Sequence, residues 1–317
     1  MKDILTITLN PAVDLSTATD QVEPGPKLRC APPRSDPGGG GVNVSRAIRL
    51  LGGDSRALVA LGGPAGEKLR HLLWKEEIAF LPFHGPGETR QSLAVTDRGT
   101  GQQYRFVLPG PEWNDERAAA MLDAIDRAAP KGGFVVVSGS NPPGIAGDFI
   151  PRVAIRLSAR GSKLIVDTSG GALRQLVTTP SPAAPFVLRM DQEEAEALAG
   201  RPLPARTDSA DLAARLVAEG AAEAVIVARG ADGSVLAAEG LRLHVAPPPD
   251  LPVRSKVGAG DSFVGAFTLA LARGAGLGEA LRHGTAAAAA TVMTEATQLC
   301  TREDAERLLP DCTLSEV

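Results

Sequence analysis

The segment most able to do chemistry is Val257-Gly258-Ala259-Gly260-Asp261-Ser262, which runs directly into an apolar helical stretch from Phe263 to Leu271. Small residues therefore open a helix. Backbone N–H groups at a helix N-terminus lack partners, and Gly and Ala let a phosphate come close to them, so Gly258, Ala259 and Gly260 read as an anion hole. Asp261 sits at its edge. The helix end favours an ionised carboxylate, suited to take a proton from a hydroxyl as that hydroxyl attacks phosphorus. An ordinary N-cap after a glycine turn accounts for Asp261 on this local evidence as well.

Four consecutive glycines, Gly38 to Gly41, precede a second helical stretch. Gly39 and Gly40 can bring backbone amides against a ligand, and Asn43 can bond a sugar hydroxyl. The P-loop spacing does not occur there, and no dinucleotide fingerprint follows the first strand. Asp14 is expected at the carboxyl end of that strand, where open α/β sheets place ligands; a turn aspartate would look the same. Lys27, Arg29, Arg90 and Arg105 fall in two irregular zones, and a group of cations there suits a phosphorylated substrate. The loop Ser138-Gly139-Ser140-Asn141-Pro142-Pro143-Gly144 reads as a cleft lining or a tight turn. His71, His84, His244 and His283 have no metal-ligand spacing.

The elements that must position these residues alternate. Strands are expected at Ile4 to Leu9, Ala57 to Leu61, Phe134 to Val137, Leu164 to Val166, Phe186 to Leu188 and Ala224 to Val227, with a hairpin from Ser234 to Val245. Helices are expected at Val42 to Leu51, Glu67 to Ile78, Asp115 to Ala129, Phe149 to Ala159, Gln192 to Leu198, Ser209 to Ala218, Ser262 to Ala272, Leu277 to Met293 and Glu303 to Leu309. This predicts an α/β fold: a doubly wound, mainly parallel sheet flanked by helices. The first strand is expected to end near Asp14. Segments at about 14–37 and 83–109, the second with a hairpin around Asp97 to Gly101, would form a small β-sheet lid on one α/β unit spanning 1–317. Exposed edges of such a lid often pair in a dimer.

Composition narrows the function classes. The chain carries a net charge of −4, 44% hydrophobic and 3% aromatic residues, so a basic nucleic-acid surface and an aromatic stacking platform are not expected. The Ala-rich run from Ala286 to Met293 falls short of a membrane span. Asp14 comes too early for a secretory signal, and Cys30, Cys300 and Cys312 form an odd set without metal spacing. A cytoplasmic protein with small-molecule partners is expected.

Asn10-Pro11-Ala12-Val13-Asp14, Lys27-Leu28-Arg29-Cys30, the four-glycine run with Val42-Asn43-Val44, Thr89-Arg90-Gln91, Gln103 to Val107, the Ser138 loop and the Val257 to Phe267 segment together resemble the PfkB/ribokinase family of carbohydrate kinases over nearly the whole chain. The resemblance implies a ribokinase-like fold, ATP and Mg²⁺ as cofactors, and a homodimer formed through the lid. It implies phosphoryl transfer to O1 of fructose 6-phosphate, with tagatose 6-phosphate and fructose 1-phosphate as competing acceptors. A sugar-phosphate sensor with weakened transfer is the reading from another class.

Carried over by position, Asp261 is the base beside the Gly258 to Gly260 amides. Asp14, Gly39, Gly40 and Asn43 hold the sugar, Lys27 and Arg90 bind its phosphate with Ser140 nearby, and Arg105 is a further substrate-binding residue. Arg189, Asp191, Arg229, Gly230, Gly233, Lys256 and Val257 fall on the nucleotide side, with Asp191 and Glu194 toward the metal. The chain departs from the family pattern at Arg189 for Lys, Asp191 for Asn, Ala228 for a small hydroxyl residue and Lys256 for Thr. Lys256 is positioned to offset the added Asp191 charge or to contact phosphate.

Overall fold

The computed structural model describes residues 1–179, 181–295 and 297–317. Its elements begin with β1 (Ile4–Thr8), β2 (Ala12–Thr19), β3 (Arg34–Gly38), α1 (Gly40–Leu50), β4 (Arg56–Leu61), α2 (Gly63–Lys75) and β5 (Phe80–His84). Next come β6 (Arg90–Asp97), β7 (Gln103–Val107), α3 (Asp115–Ala128), β8 (Phe134–Ser138), α4 (Phe149–Ser158), β9 (Lys163–Asp167) and α5 (Gly170–Thr178). The last part holds β10 (Val187–Asp191), α6 (Gln192–Ala199), α7 (Arg206–Ala218), β11 (Ala224–Ala228), β12 (Ser234–Ala238) and β13 (Leu241–Ala246). It closes with α8 (Ala259–Ala272), α9 (Leu277–Val292), α10 (Arg302–Leu308) and β14 (Thr313–Glu316).

The main sheet has the order β14-β13-β12-β11-β10-β9-β8-β1-β4-β5. It is parallel from β11 to β5 and antiparallel beyond β11. Successive side chains of its central strands feed two cores. Leu5, Ile7, Val135, Val137, Val166 and Leu188 pack under α3 to α7. Ile4, Phe134, Val136, Ile165, Val187 and Ile226 pack under α1, α8, α9 and α10. Covering both faces explains why these strands are apolar runs rather than alternating ones. Helix α8 lies between α1 and α9 and is buried at every position from Ser262 to Ala272, which is why its sequence is apolar all round. Each large side chain buried this way contributes about 1.5–3 kcal/mol.

A second sheet, β3-β2-β6-β7, stands apart from the first. In it β2 and β6 pair in parallel, and both edge pairs are antiparallel. The doubly wound sheet and small β lid are thus present, with three local corrections. Strand β1 stops at Thr8, and Asp14 lies inside β2 of the lid, because Pro11 interrupts the chain and Ala12 to Thr19 pairs with β6. Helices α1 and α2 start earlier than their apolar spacing implied, at Gly40 and Gly63, since their first turns are small residues. Strands β5 and β14 and helix α5 carry weak local signals. Pro82 sits in β5, which tolerates it as a sheet edge, and two glycines open α5. No helix among the described residues is long and apolar enough to cross a membrane.

Candidate functional site

The main-sheet strands β1, β8, β9 and β10 deliver their carboxyl ends to one cleft, where the first turns of α1 and α8 also arrive. At the N-cap of α8, Gly258 has φ +77°, a left-handed conformation that suits glycine. The N–H of Ser262 bonds the Gly258 carbonyl at 2.8 Å, while the Gly260 and Asp261 amides precede the helical ladder and face outward. Close approach is built into α1 as well: a Cβ on Gly40 would collide with Ser138 Oγ and the Gly139 backbone. The glycine run therefore seats α1 against the β8 loop and puts Asn43 within reach of α8.

Asn43 Nδ2 donates to Asp261 Oδ2 at 2.9 Å. Its orientation is set from behind, because Arg46 Nη1 donates to Asn43 Oδ1 at 3.2 Å and can only be a donor. Arg46 is buried and clamped on Glu76 by bonds of 2.6 and 2.9 Å. A relay of Glu76, Arg46 and Asn43 thus fixes the carboxylate of Asp261. On the other side, Ser138 Oγ lies 3.4 Å from Asp261 Oδ1 and 3.3 Å from Asp167 Oδ2. Asp167 in turn accepts from Arg189 Nη1 at 3.0 Å, with both side chains about 15% exposed or less. Arg189 lies directly under the anion loop, since a Cβ on Gly260 would be 3.1 Å from its Nη1.

The sequence pointed to an ionised Asp261, and the environment changes that expectation. Burial first, then the negative charge of Asp167, push its pKa up to about 7, against the opposing effects of Asn43, Arg189 and Ser138. A carboxylate poised near neutrality is well matched to general-base work. Asp167 and Arg46 were missed by sequence reasoning. For Asp167 the available signal was an acidic residue at the carboxyl end of an apolar parallel strand; for Arg46 there was none, since a basic residue within a helix reads as a surface charge.

On the lid, register places Asp14 opposite Ser92, with Arg90 two residues away and Arg105 opposite Ala94, so Asp14, Arg90 and Arg105 share one face. Burial raises the pKa of Asp14, opposed by the charges of Arg90, Arg46 and Arg105. Arg90 donates to the Asn10 carbonyl at 3.3 Å and to Ser92 Oγ at 3.2 Å. Ser140 is exposed beside Asn10, 3.4 Å from its amide nitrogen. Lys27 and Arg29 are exposed on the connection between β2 and β3, outside the hydrogen-bonded network of the cleft. Gly39 caps α1 with φ +105°.

Around Arg189, Asp191 and Glu194 form a reciprocal cap at the start of α6: each carboxylate accepts the other's backbone N–H at 2.9 Å. Burial raises the pKa of Glu194, the Asp191 amide opposes this, and the Asp191 and Asp167 charges add to it. Lys256 is exposed ahead of the loop, and no ion pair joins it to Asp191 among the described residues. Val257 N–H donates to Ser255 Oγ at 3.2 Å. Gly230 opens the 3₁₀ turn after β11 and Gly233 caps its end, at the same end of the sheet.

Arg229 points elsewhere. Its guanidinium donates to Asp232, the Leu203 and Pro204 carbonyls and Ser209 Oγ, so the side chain ties the turn to the start of α7 instead of facing a nucleotide. Arg229→Ala should therefore act on stability, lowering it by about 2–3 kcal/mol as carbonyls lose their donor. Urea unfolding measures this.

A carboxylate near neutrality, aimed past outward-facing helix amides and backed by a buried arginine, is equipped to deprotonate a hydroxyl while an anionic group is held beside it. With a doubly wound sheet and a β lid, these features define a phosphotransferase of the α/β class. The pfkB family carbohydrate kinase profile matches residues 2–304, and the chain belongs to that family. It is 40% identical over 304 residues to the ATP-dependent 6-phosphofructokinase isozyme 2 of Mycobacterium tuberculosis, covering 96% of this chain and 88% of that one. The crystal structure of phosphofructokinase-2 from Escherichia coli in complex with potassium superposes with a TM-score of 0.92 at 36% identity, covering 98% and 99% of the two chains. A 1-phosphofructokinase of Xanthomonas campestris is 30% identical, over 84% of this chain and 83% of that one.

Proposed function

We propose that this kinase transfers the γ-phosphoryl group of ATP to O1 of fructose 6-phosphate, giving fructose 1,6-bisphosphate and ADP. The observation that carries the reading is Asp261, held by Asn43 at the mouth of the α8 amides with its pKa near 7. Asp261 takes the O1 proton as O1 bonds to the γ-phosphorus and the bond to the ADP oxygen breaks. The outward amides of Gly260 and Asp261, with Arg189 beneath them, face the charge that develops on the transferred group. Asp14 binds sugar hydroxyls on the lid face, and Arg90 and Arg105 favour an acceptor that already carries phosphate. Names of the relatives point to fructose 6-phosphate ahead of fructose 1-phosphate.

Mg²⁺ fits the nucleotide side. Carboxylates of Glu194, Asp191 and Asp167 repel one another there, and hard oxygen donors suit that ion. Among the described residues no cluster of three or more acidic or His/Cys side chains forms a metal cage, so phosphates and water would have to complete the shell. Glu194 and Asp191 would hold the ion, which supplies charge neutralisation on the phosphates. Exposed Leu28, Phe106, Val107 and Leu108 on the lid fit its use as a dimer surface, and three free cysteines fit a reducing cytoplasm.

Steady-state ADP release with MgATP tests the proposal against fructose 6-phosphate, tagatose 6-phosphate, fructose 1-phosphate and fructose. The expected result is a kcat/KM at least tenfold higher for fructose 6-phosphate than for any other acceptor. A preference for another acceptor overturns the substrate, and binding without turnover leaves a sugar-phosphate sensor.

A further inference from the structure

Asp36 stands opposite Asp14 in the β2–β3 ladder, on the lid's sugar-facing side, yet it is only 4% exposed. Its Oδ1 accepts from Arg34 Nε at 2.9 Å, and its Oδ2 accepts from Thr297 Oγ1 at 2.6 Å, a buried contact between residues 261 positions apart. Thr297 belongs to the segment after α9. That segment is knit to the helix end, with Thr294 Oγ1 lying 2.8 Å from the Thr291 carbonyl and 2.7 Å from the Gln298 carbonyl, which share its one proton. Two residues beyond Thr297, the Leu299 side chain packs against Gly258, the left-handed N-cap of the anion loop. One short stretch of chain therefore touches the lid strand at one end and the anion loop at the other.

We propose that the Asp36–Thr297 bond is a latch through which ligand binding on the lid and nucleotide binding at the α8 amides favour each other, with both residues as positioning residues. The proposal rests on the kinase reading above. A ligand gripped by Asp14 stabilises β2 and β3, which holds Asp36 and, through Thr297 and Leu299, the Gly258 turn. Linkage makes the effect reciprocal. A bond from a hydroxyl to a buried carboxylate is short and strong, and it is lost when the hydroxyl becomes methyl.

Thr297→Val removes the donor at nearly constant shape, and Thr297→Ser restores it. Calorimetric titration with the magnesium complex of a non-hydrolysable ATP analogue, with and without fructose 6-phosphate, reads the coupling. The sugar phosphate should tighten nucleotide binding about five- to tenfold in the unmodified protein and in Thr297→Ser, and less than about twofold in Thr297→Val. Equal coupling in Thr297→Val overturns the latch. Hydrogen exchange with the nucleotide analogue alone separates this from a wrong acceptor. Slowed exchange at 34–38 should appear in the unmodified protein and in Thr297→Ser but not in Thr297→Val. If that pattern holds while fructose 6-phosphate does not bind, the acceptor is wrong and the latch stands; if 34–38 never respond to nucleotide, the latch falls.

Discussion

Asp261→Asn is expected to lower kcat by about 10²–10⁴-fold, the range contributed by a positioned general base, while the KM for the sugar phosphate moves by less than about threefold. The amide keeps the shape of the carboxylate but cannot take the O1 proton. On the proposed reading, sugar contacts come from the lid and from α1, so binding should survive. Because the pKa of Asp261 is near 7, kcat/KM of the unmodified enzyme should fall about tenfold per pH unit below that value, and the variant should lose this limb. Stability shows the same group from the other side. A carboxyl whose folded pKa is raised binds its proton more tightly when folded, so its contribution is present below the unfolded value near 4 and is lost as pH rises through about 7. Asp261→Asn should flatten the dependence of stability on pH across that window. Turnover within a few-fold of the unmodified enzyme would remove Asp261 from the mechanism.

Asp167→Asn is the second large effect. The Asp167 carboxylate holds Arg189 in a largely buried pair and raises the pKa of Asp261 by its charge. Removing that charge should move the acid limb of the pH–rate profile toward lower pH by about one unit, so the variant retains a larger fraction of its own maximal rate at pH 6. The same change leaves a buried guanidinium short of its counter-charge, at a cost of about 3–5 kcal/mol. Arg189 Nε has no hydrogen-bond partner among the described residues, and the charges of Glu194 and Asp191 act on the guanidinium more weakly than that of Asp167. Denaturant unfolding and a pH–rate series on one preparation check both halves. An unmoved limb with lowered stability would make Asp167 a structural residue only.

Much of the architecture was legible because it rests on local repetition. Apolar runs such as Phe134 to Ser138 between amphipathic helices of the α3 and α4 kind can be buried only in a covered parallel sheet. Gly258 to Asp261 marked the cleft for the same reason: small residues ahead of a uniformly apolar helix have a meaning at the helix end that needs no knowledge of neighbours. Where the local signal was weak, the elements were overlooked. Strand β5 contains a proline, and α5 begins with two glycines; both are held by pairing or packing with distant partners.

Chemical character was decided by tertiary structure. The amino-acid order alone determined an α/β chain with an anion loop, a candidate base and a basic lid, since composition, periodicity and turn residues are properties of short segments, and its motifs together carried the resemblance to a kinase family. Only the fold decided that the pKa of Asp261 would be pushed up to about 7, that Arg46 would orient Asn43, that Arg229 would bond to the start of α7, and that Asp36 would meet Thr297. Each of these depends on burial and on charges brought together from different elements. A pKa or a hydrogen bond is set by distances across the interior, and those distances do not exist until the chain has packed.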